Sequence, residues 1–337
     1  MVPKSFQVAL NTELRAFFAK QKAQSKSFDL RIGLLVDQIA DVTLRGGDRL
    51  RPFLCALAFN PKNIDMHVEI AAVLMALELQ HTYFLIHDDI MDQASTRRGK
   101  ATIHAHLTQN LRNPVLANSL AILAGDLCTS WVQLLWDNCA LSGTAGARIL
   151  FDQMTEKVGL GQIVDVWGLQ KADVNTIEAM YKAKSGNYSV KFPLLIGATL
   201  ANKELLLPKL SAYGEPVGLA FQLKDDLLGV FGDEIVTGKS ATNDISEGKW
   251  TLLMSYAYLH IPASKQKKLL GIIGKSPVTD TDYEWVKTVL VESGARTYIE
   301  KYMQKLVIQG LSASEKVAQP LRKELQKMAQ FVISRNY

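Results

Sequence analysis

The sequence predicts an all-α protein, one helical bundle spanning residues 1–337, and three observations carry that expectation. Apolar residues recur every three to four positions along almost the whole chain. No stretch shows a convincing alternation of apolar and polar residues, the pattern of a half-buried strand. Turn-forming residues fall mostly between the apolar stretches. In order, the predicted helical stretches are Phe28–Leu44, Val68–Met91, Ala117–Trp136, Ala147–Trp167, Val174–Asn202 and Tyr213–Val230. Asn60-Pro61, Asn113-Pro114, Ser142-Gly143, Pro208, the glycines at 229, 232 and 238, and Ser276-Pro277 punctuate them. Pro193 lies inside a long apolar pattern, where its missing N–H should kink the helix without ending it. Leu252–Tyr337 is more charged and is expected to supply outer helices. Neither an internal repeat nor a long linker interrupts the pattern, so a single domain is expected.

Composition narrows the function classes. Hydrophobic residues make up 48% of 337 and charged residues 21%, enough apolar surface for a large core. The net charge of +5 is spread along the chain without a basic block, which argues against nucleic acid and suits small acidic ligands. Cys55, Cys128 and Cys139 have no metal-type spacing and are odd in number, so a reducing cytoplasm is the expected location. The first twenty residues lack the continuous apolar run of a signal peptide. Val68–Ile86 comes closest to a membrane span, but Glu69, Glu78, Gln80 and His81 interrupt it. It reads as a helix buried on nearly all sides, and no membrane span is expected.

That buried helix ends in acids followed by bases: Asp88-Asp89, Asp92, then Arg97-Arg98 and Lys100. On a helix Asp88 and Asp92 share one face, with Asp89 one step round. Like charges there repel unless a cation relieves them, and magnesium is usually held by a few carboxylates together with substrate phosphates. By itself the cluster could equally be an acidic helix end in solvent. A second adjacent pair, Asp225-Asp226, closes another apolar stretch far along the chain. Two such pairs can face each other across a bundle and hold metal around a diphosphate.

These segments resemble the first and second aspartate-rich motifs of the trans-type isoprenyl diphosphate synthases, the polyprenyl synthetase family. Gly46-Gly47-Asp48-Arg49-Leu50-Arg51-Pro52 is similar to the family's early basic motif, Gly161-Gln162-Ile163-Val164-Asp165 to its GQxxD motif, and Lys184-Ser185 to its KT motif. Thr237-Gly238-Lys239, Asn243-Asp244-Ile245 and Glu247-Gly248-Lys249 resemble the segment after the second pair. The resemblance implies the isoprenoid synthase fold, helices around a deep central cavity, and a homodimer. It implies a magnesium-dependent prenyltransferase that joins isopentenyl diphosphate to an allylic diphosphate, with three metal ions per site. Asp88, Asp92 and Asp225 would bind the metal directly, with Asp89, Asp226, Asp165 and Asp244 in support. A helix cap or an ion pair remains an equal alternative for any one supporter. Arg97, Lys184 and Lys239 would grip the allylic diphosphate, with Ser185, Gln222 and Lys249 nearby. Arg51, His81 and Arg98 would take the isopentenyl diphosphate, and Gln162 would hydrogen-bond near the diphosphate or Asp225, or equally pack as a helix amide. Guanidinium forks and ammonium points are the groups that balance so many oxyanions. His87 is one step off the face of His81 and reads as structural.

Phe84 is four residues before Asp88, ~6 Å along the axis, and Tyr83 precedes it. Similar synthases with aromatic residues at these positions make short products, so a C15 product is expected, with C20 next. Two departures stand out. Asp48 replaces the usual Lys of the basic motif, and repels a diphosphate unless Arg49 or a neighbour compensates. Gly229 replaces the third aspartate of the second motif. A class I terpene cyclase shares the fold and the first acidic motif but needs no isopentenyl site, and a weakly active partner subunit would tolerate both departures.

Overall fold

The computed structural model describes residues 1–168, 173–232, 243–275 and 277–335, for 243 and 244 the backbone alone. Contacts divide the chain into two compact units, Val2–Arg148 with Ile196–Asn202 and Ile149–Leu195 with Lys203–Tyr337. Helices dominate both.

The first unit contains α1 (Lys4–Phe28), α2 (Leu30–Leu44), α3 (Leu50–Phe59), α4 (Ala71–Met91), α5 (Ile103–Leu111) and α6 (Pro114–Asp137). The sequence reading missed α1. Its buried residues Phe6, Leu10, Leu14 and Phe18 form a one-residue-wide stripe at spacing four, too narrow to stand out among the charges around it. Asp29 sets the start of α2, since its carboxylate accepts a hydrogen bond from the Arg31 amide at 2.7 Å and caps the helix. The predicted start at Phe28 therefore came two residues early. A short 3₁₀ turn, Val68–Ile70, leads into α4.

Val73, Leu74, Ala76, Leu77 and Leu79 of α4 are fully buried, as expected of an apolar helix. Each leucine of this kind contributes about 1.5–3 kcal/mol from burial. On the α4-facing side of α6 stand Ala117, Ala121, Ala124 and Cys128, also fully buried, whose small size lets two helices approach closely. The other face of α6 leaves Val115, Leu123 and Leu134 exposed. By length and composition α6, like α4, could cross a membrane, a feature the sequence reading noted only for α4; 61% of the α4 window is buried against 39% for α6.

A two-residue hairpin interrupts the helices, with β1 (Thr96–Arg97) antiparallel to β2 (Lys100–Ala101). Its turn is Arg98-Gly99, both at positive φ (52° and 72°), the backbone that a tight hairpin of this twist requires. Glycine accepts that conformation freely and arginine does not. Strands this short carry no periodic signal, which is why the alternation test did not reveal them.

The second unit holds most of α7 (Thr144–Trp167), then α8 (Val174–Tyr181), a π-helical segment Lys182–Lys191, α9 (Phe192–Leu200), which runs back into the first unit, and α10 (Leu207–Phe231). Pro193 was expected to kink its helix. The strain is relieved upstream, where the turns widen and the Phe192 amide reaches back to the Asn187 carbonyl. This wide segment carries Lys184 and Ser185. It lies against α10 where Gly186 meets Gly218, so closely that a Cβ on Gly218 would stand 2.1 Å from the Gly186 carbonyl oxygen.

After a single turn at Asn243–Ser246 come α11 (Leu252–His260), α12 (Ala263–Leu270), α13 (Asp280–Glu292), α14 (Ala295–Ser314) and α15 (Leu321–Ser334). The expectation of outer helices here needs correction. Leu252, Leu253, Met254 and Ala257 of α11 are no more than 2% exposed, and α14 packs along α10 with Ile299 and Met303 buried. Average charge had hidden stripes that are apolar on one side only. Gly218→Ala is expected to destabilise the protein by about 1–3 kcal/mol, read as a lower denaturant midpoint, because the contact is backbone on backbone.

Candidate active site

The first carboxylate set closes α4. Asp88 and Asp89 occupy its last turn, and Asp92 follows with its amide donating to the Asp88 carbonyl at 2.8 Å. Asp89 is 2% exposed, while Asp88 and Asp92 are half-buried. Burial pushes the Asp89 carboxyl up to about 6 against the pull of Arg97, and Asp88 and Asp92 push it the same way. Arg97 spans the set, its Nε donating to Asp89 Oδ1 at 2.6 Å and its Nη2 to Asp88 Oδ2 at 3.3 Å. The hairpin delivers this arginine. Arg45 anchors the hairpin by donating to the Ala101 carbonyl at 2.9 Å, and Asp41 pairs with both Arg45 (2.6 Å) and Lys100 (2.9 Å). Sequence reasoning named neither Arg45 nor Asp41; their spacing of four on α2 was the available signal.

Arg98 leaves the turn toward the Gly46-Gly47 loop and donates to the carbonyls of Arg45 (3.2 Å) and Gly46 (3.1 Å). A Cβ on Gly47 would meet its guanidinium at 3.0 Å. Arg51 begins α3, and His81 sits two turns before Asp88 on α4. Burial holds the His81 imidazole well below its usual range, and the guanidiniums of Arg51, Arg98, Arg97 and Arg49 reinforce the effect. The two arginines expected at the isopentenyl end, Arg51 and Arg98, therefore stand close to its histidine, which is neutral. His87, read as structural, hydrogen-bonds the Ile122 carbonyl at 3.1 Å and fits against Gly125 of α6. Tyr83 and Phe84 stand with ring centroids 5.1 Å apart, half-buried on α4.

Arg49 does not compensate for Asp48. It is buried and bound to Glu78 (2.6 Å), Asn11 (2.9 Å) and the Thr43 carbonyl (2.8 Å), a brace tying the loop to α4 and α1. Removing one partner of a buried pair of this kind costs roughly 3–5 kcal/mol. Asp48 itself is exposed and makes no ion pair among the described residues.

The second set lies on α10. Asp226 is buried, with one oxygen accepting from the Tyr181 hydroxyl and the other from Gln222 Nε2 at 2.9 Å. Tyr181 in turn accepts from the Leu252 amide at 3.2 Å, so it links α8, α10 and α11. Gln222, expected near substrate, is engaged with Asp226. Asp225 is exposed on the same turn and pairs with Arg335 at 2.6 Å. Asp165 on α7 pairs with Lys184 at 2.6 Å, and Lys249 with Glu247 at 2.6 Å. Gln162 and Ser185 are half-buried nearby in sequence, and Gly229 is half-buried one turn after Asp225. Tyr181 and Arg335 went unnoticed in the sequence: a tyrosine three residues before Lys184 was a faint signal, and Arg335 offered none. Lys239 and the side chain of Asp244 lie outside the described residues.

Comparison with known proteins decides the family, since the polyprenyl synthetase model matches residues 34–290. The chain belongs to the polyprenyl synthetase family. It is 32% identical over 298 residues to a short chain isoprenyl diphosphate synthase of Methanocaldococcus jannaschii, covering 87% of this chain and 86% of that one. A (2E,6E)-farnesyl diphosphate synthase of Mycobacterium tuberculosis is 27% identical, over 86% and 80% of the two chains. Among solved structures, a geranylgeranyl pyrophosphate synthase from Corynebacterium glutamicum, complexed with isoprenyl diphosphate and magnesium, superposes with a TM-score of 0.92 at 28% identity, covering 98% of this chain and 99% of that one.

The donors of this polyprenyl synthetase fit magnesium. Among the described residues no three His, Cys, Asp or Glu side chains converge into a protein cage. Magnesium does not need one, because it keeps water and phosphate oxygens and takes only one or two carboxylates. The energetic cost of ionising buried Asp89 beside Asp88 and Asp92 is what an added cation would relieve.

The neutral His81 has a consequence for pH. An unfolded histidine takes up its proton near pH 6.5, and folded His81 resists it. Below that pH the unfolded state binds more protons, so stability is full above it and falls as the pH drops through it. His81→Gln is expected to flatten this acid-side loss in denaturant melts recorded from about pH 5 to about pH 7.

Proposed function

We propose that this polyprenyl synthetase is a short-chain isoprenyl diphosphate synthase, acting as one catalytic domain, that joins isopentenyl diphosphate to an allylic diphosphate to give a C15 product, with C20 next. The observation that carries the reading is the pairing of opposite charges along α4. Its last turn gathers Asp88, Asp89 and Asp92, and the neighbouring turns, with α3 and the hairpin, gather Arg51, Arg97 and Arg98 around His81. Metal and a second, metal-free diphosphate have different requirements, and both are met. A cyclase has no use for the second cluster.

In this reading Asp88, Asp92 and Asp225 hold magnesium, three ions per site, while Asp89, Asp226, Asp165 and Asp244 orient them. Bound magnesium supplies Lewis acidity and neutralises the charge of the departing diphosphate. Arg97, Lys184 and Lys239 hold the allylic diphosphate as its C–O bond breaks. Arg51, Arg98 and neutral His81 fix the isopentenyl diphosphate so that its double bond attacks the allylic cation and forms the new C–C bond. The proton lost from the product leaves with the released diphosphate, so no protein base is required. Preorganised charges supply most of the acceleration, and apolar walls keep water from the cation.

The preference for C15 rests on Tyr83 and Phe84, whose adjacent rings would floor the hydrocarbon path one turn below Asp88. The exposed apolar face of α6 suits pairing of two copies, and a homodimer formed there would account for that face without a membrane. Three buried free cysteines suit a reducing cytoplasm.

The purified chain is expected to elongate C5 and C10 primers only when isopentenyl diphosphate is also present, and to stop when a chelator removes the metal. Turnover of an allylic diphosphate alone would favour a cyclase, and inactivity without a partner would favour a subunit role. The double substitution Tyr83→Ala with Phe84→Ala is expected to lengthen the product by at least one isoprene unit in a radiolabelled assay; unchanged length would sink the aromatic floor.

A further inference from the structure

Arg335 lies outside every motif the sequence reading used. It follows α15, is 7% exposed, and its Nη2 donates to two acceptors, the Phe221 carbonyl at 2.7 Å and Asp225 Oδ1 at 2.6 Å. The guanidinium carbon stands 3.7 Å from the centre of the Phe221 ring. Three contacts, to a carbonyl, a ring and a carboxylate, therefore hold one side chain against the turn of α10 that presents Asp225. Asp225 has no other ion-pair partner among the described residues.

Resting on the reading of Asp225 as a metal ligand, we propose that Arg335 is a positioning residue for it: a resident counter-ion that orients the carboxylate before metal arrives and that metal must displace or share. The contacts suit that exchange. The Phe221 carbonyl and ring are neutral acceptors that keep the guanidinium in place when the carboxylate turns away, so Arg335 stays anchored in both states. A unit positive charge at this distance repels a divalent cation, weakening its binding by about tenfold at a largely solvated site. In exchange, the exposed aspartate keeps a defined orientation, and one carboxylate of an acidic helix end stays neutralised when the site is free of metal.

Titration of Mn2+, a spectroscopic stand-in for magnesium, into the metal-free full chain without substrate tests the proposal, with free ion counted by electron paramagnetic resonance. Arg335→Gln is expected to tighten the Asp225-dependent site by about tenfold, and Arg335→Lys to stay within about twofold of the native chain. Asp225→Asn should remove that site, and Arg335→Gln should add nothing in the Asp225→Asn background. Phe221→Leu, which loosens the arginine without changing charge, should tighten binding by an intermediate amount. It keeps the test decisive if circular dichroism shows Arg335→Gln to be poorly folded. A purely structural role would lower the melting temperature and leave Mn2+ affinity unmoved. Native affinity in both Arg335→Gln and Phe221→Leu, with weakening in Asp225→Asn, would overturn the proposal and leave the metal role of Asp225 standing. Unchanged binding in Asp225→Asn would remove both.

Discussion

Carboxylates at the end of a buried apolar helix are costly unless a positive charge stands close by, and four acids of the proposed site have one. Arg97 bridges Asp88 and Asp89, Lys184 meets Asp165, and Arg335 meets Asp225. Much of the local architecture exists to bring these cations into place. The hairpin has no core of its own, and the Asp41, Arg45 and Lys100 contacts fasten it where Arg97 can reach α4. Tyr181 does the same by hydrogen bond for Asp226, the one buried acid of the second set.

The arginines of the basic motif differ in burial and in what they touch. Arg49 is enclosed with Glu78 and spends its donors on the scaffold, whereas Arg51, two residues on and half a helical turn round, contributes to the field around His81. That field explains why a histidine suits the position. An imidazole among four guanidiniums stays neutral, so it offers a hydrogen bond without adding to a charge that is already crowded. Asp48 fits this picture as a solvent-facing residue, which softens the repulsion expected from its place in the basic motif.

Packing constrains the second set as firmly as charge does. The contact of Gly186 with Gly218 brings the π-helical segment onto α10, and the widened turns absorb a proline that would otherwise break it. Lys184 thereby projects from a backbone that is locally irregular yet fixed by neighbours on both sides. Wide turns at functional positions are a recurring use of such strain.

The sequence alone determined the helical class, the long apolar stretches and the two acidic pairs, because helix periodicity and the alignment of i and i+4 residues are local properties. The resemblance in motif order along the chain is what proposes Asp88, Asp225, Arg51, Arg98 and Lys184 for the same chemistry. Family membership was legible for the same reason. What it hid were α1, whose stripe is one residue wide, the hairpin, too short for any period, and the buried faces of α11 and α14, masked by average charge. Only tertiary structure decided that Arg49 braces the loop against Glu78, that Gln222 bonds Asp226, and that Arg335 pairs with Asp225 from 110 residues away. A charge pair depends on distance in space, and a chain read in order carries no measure of it until its helices have packed.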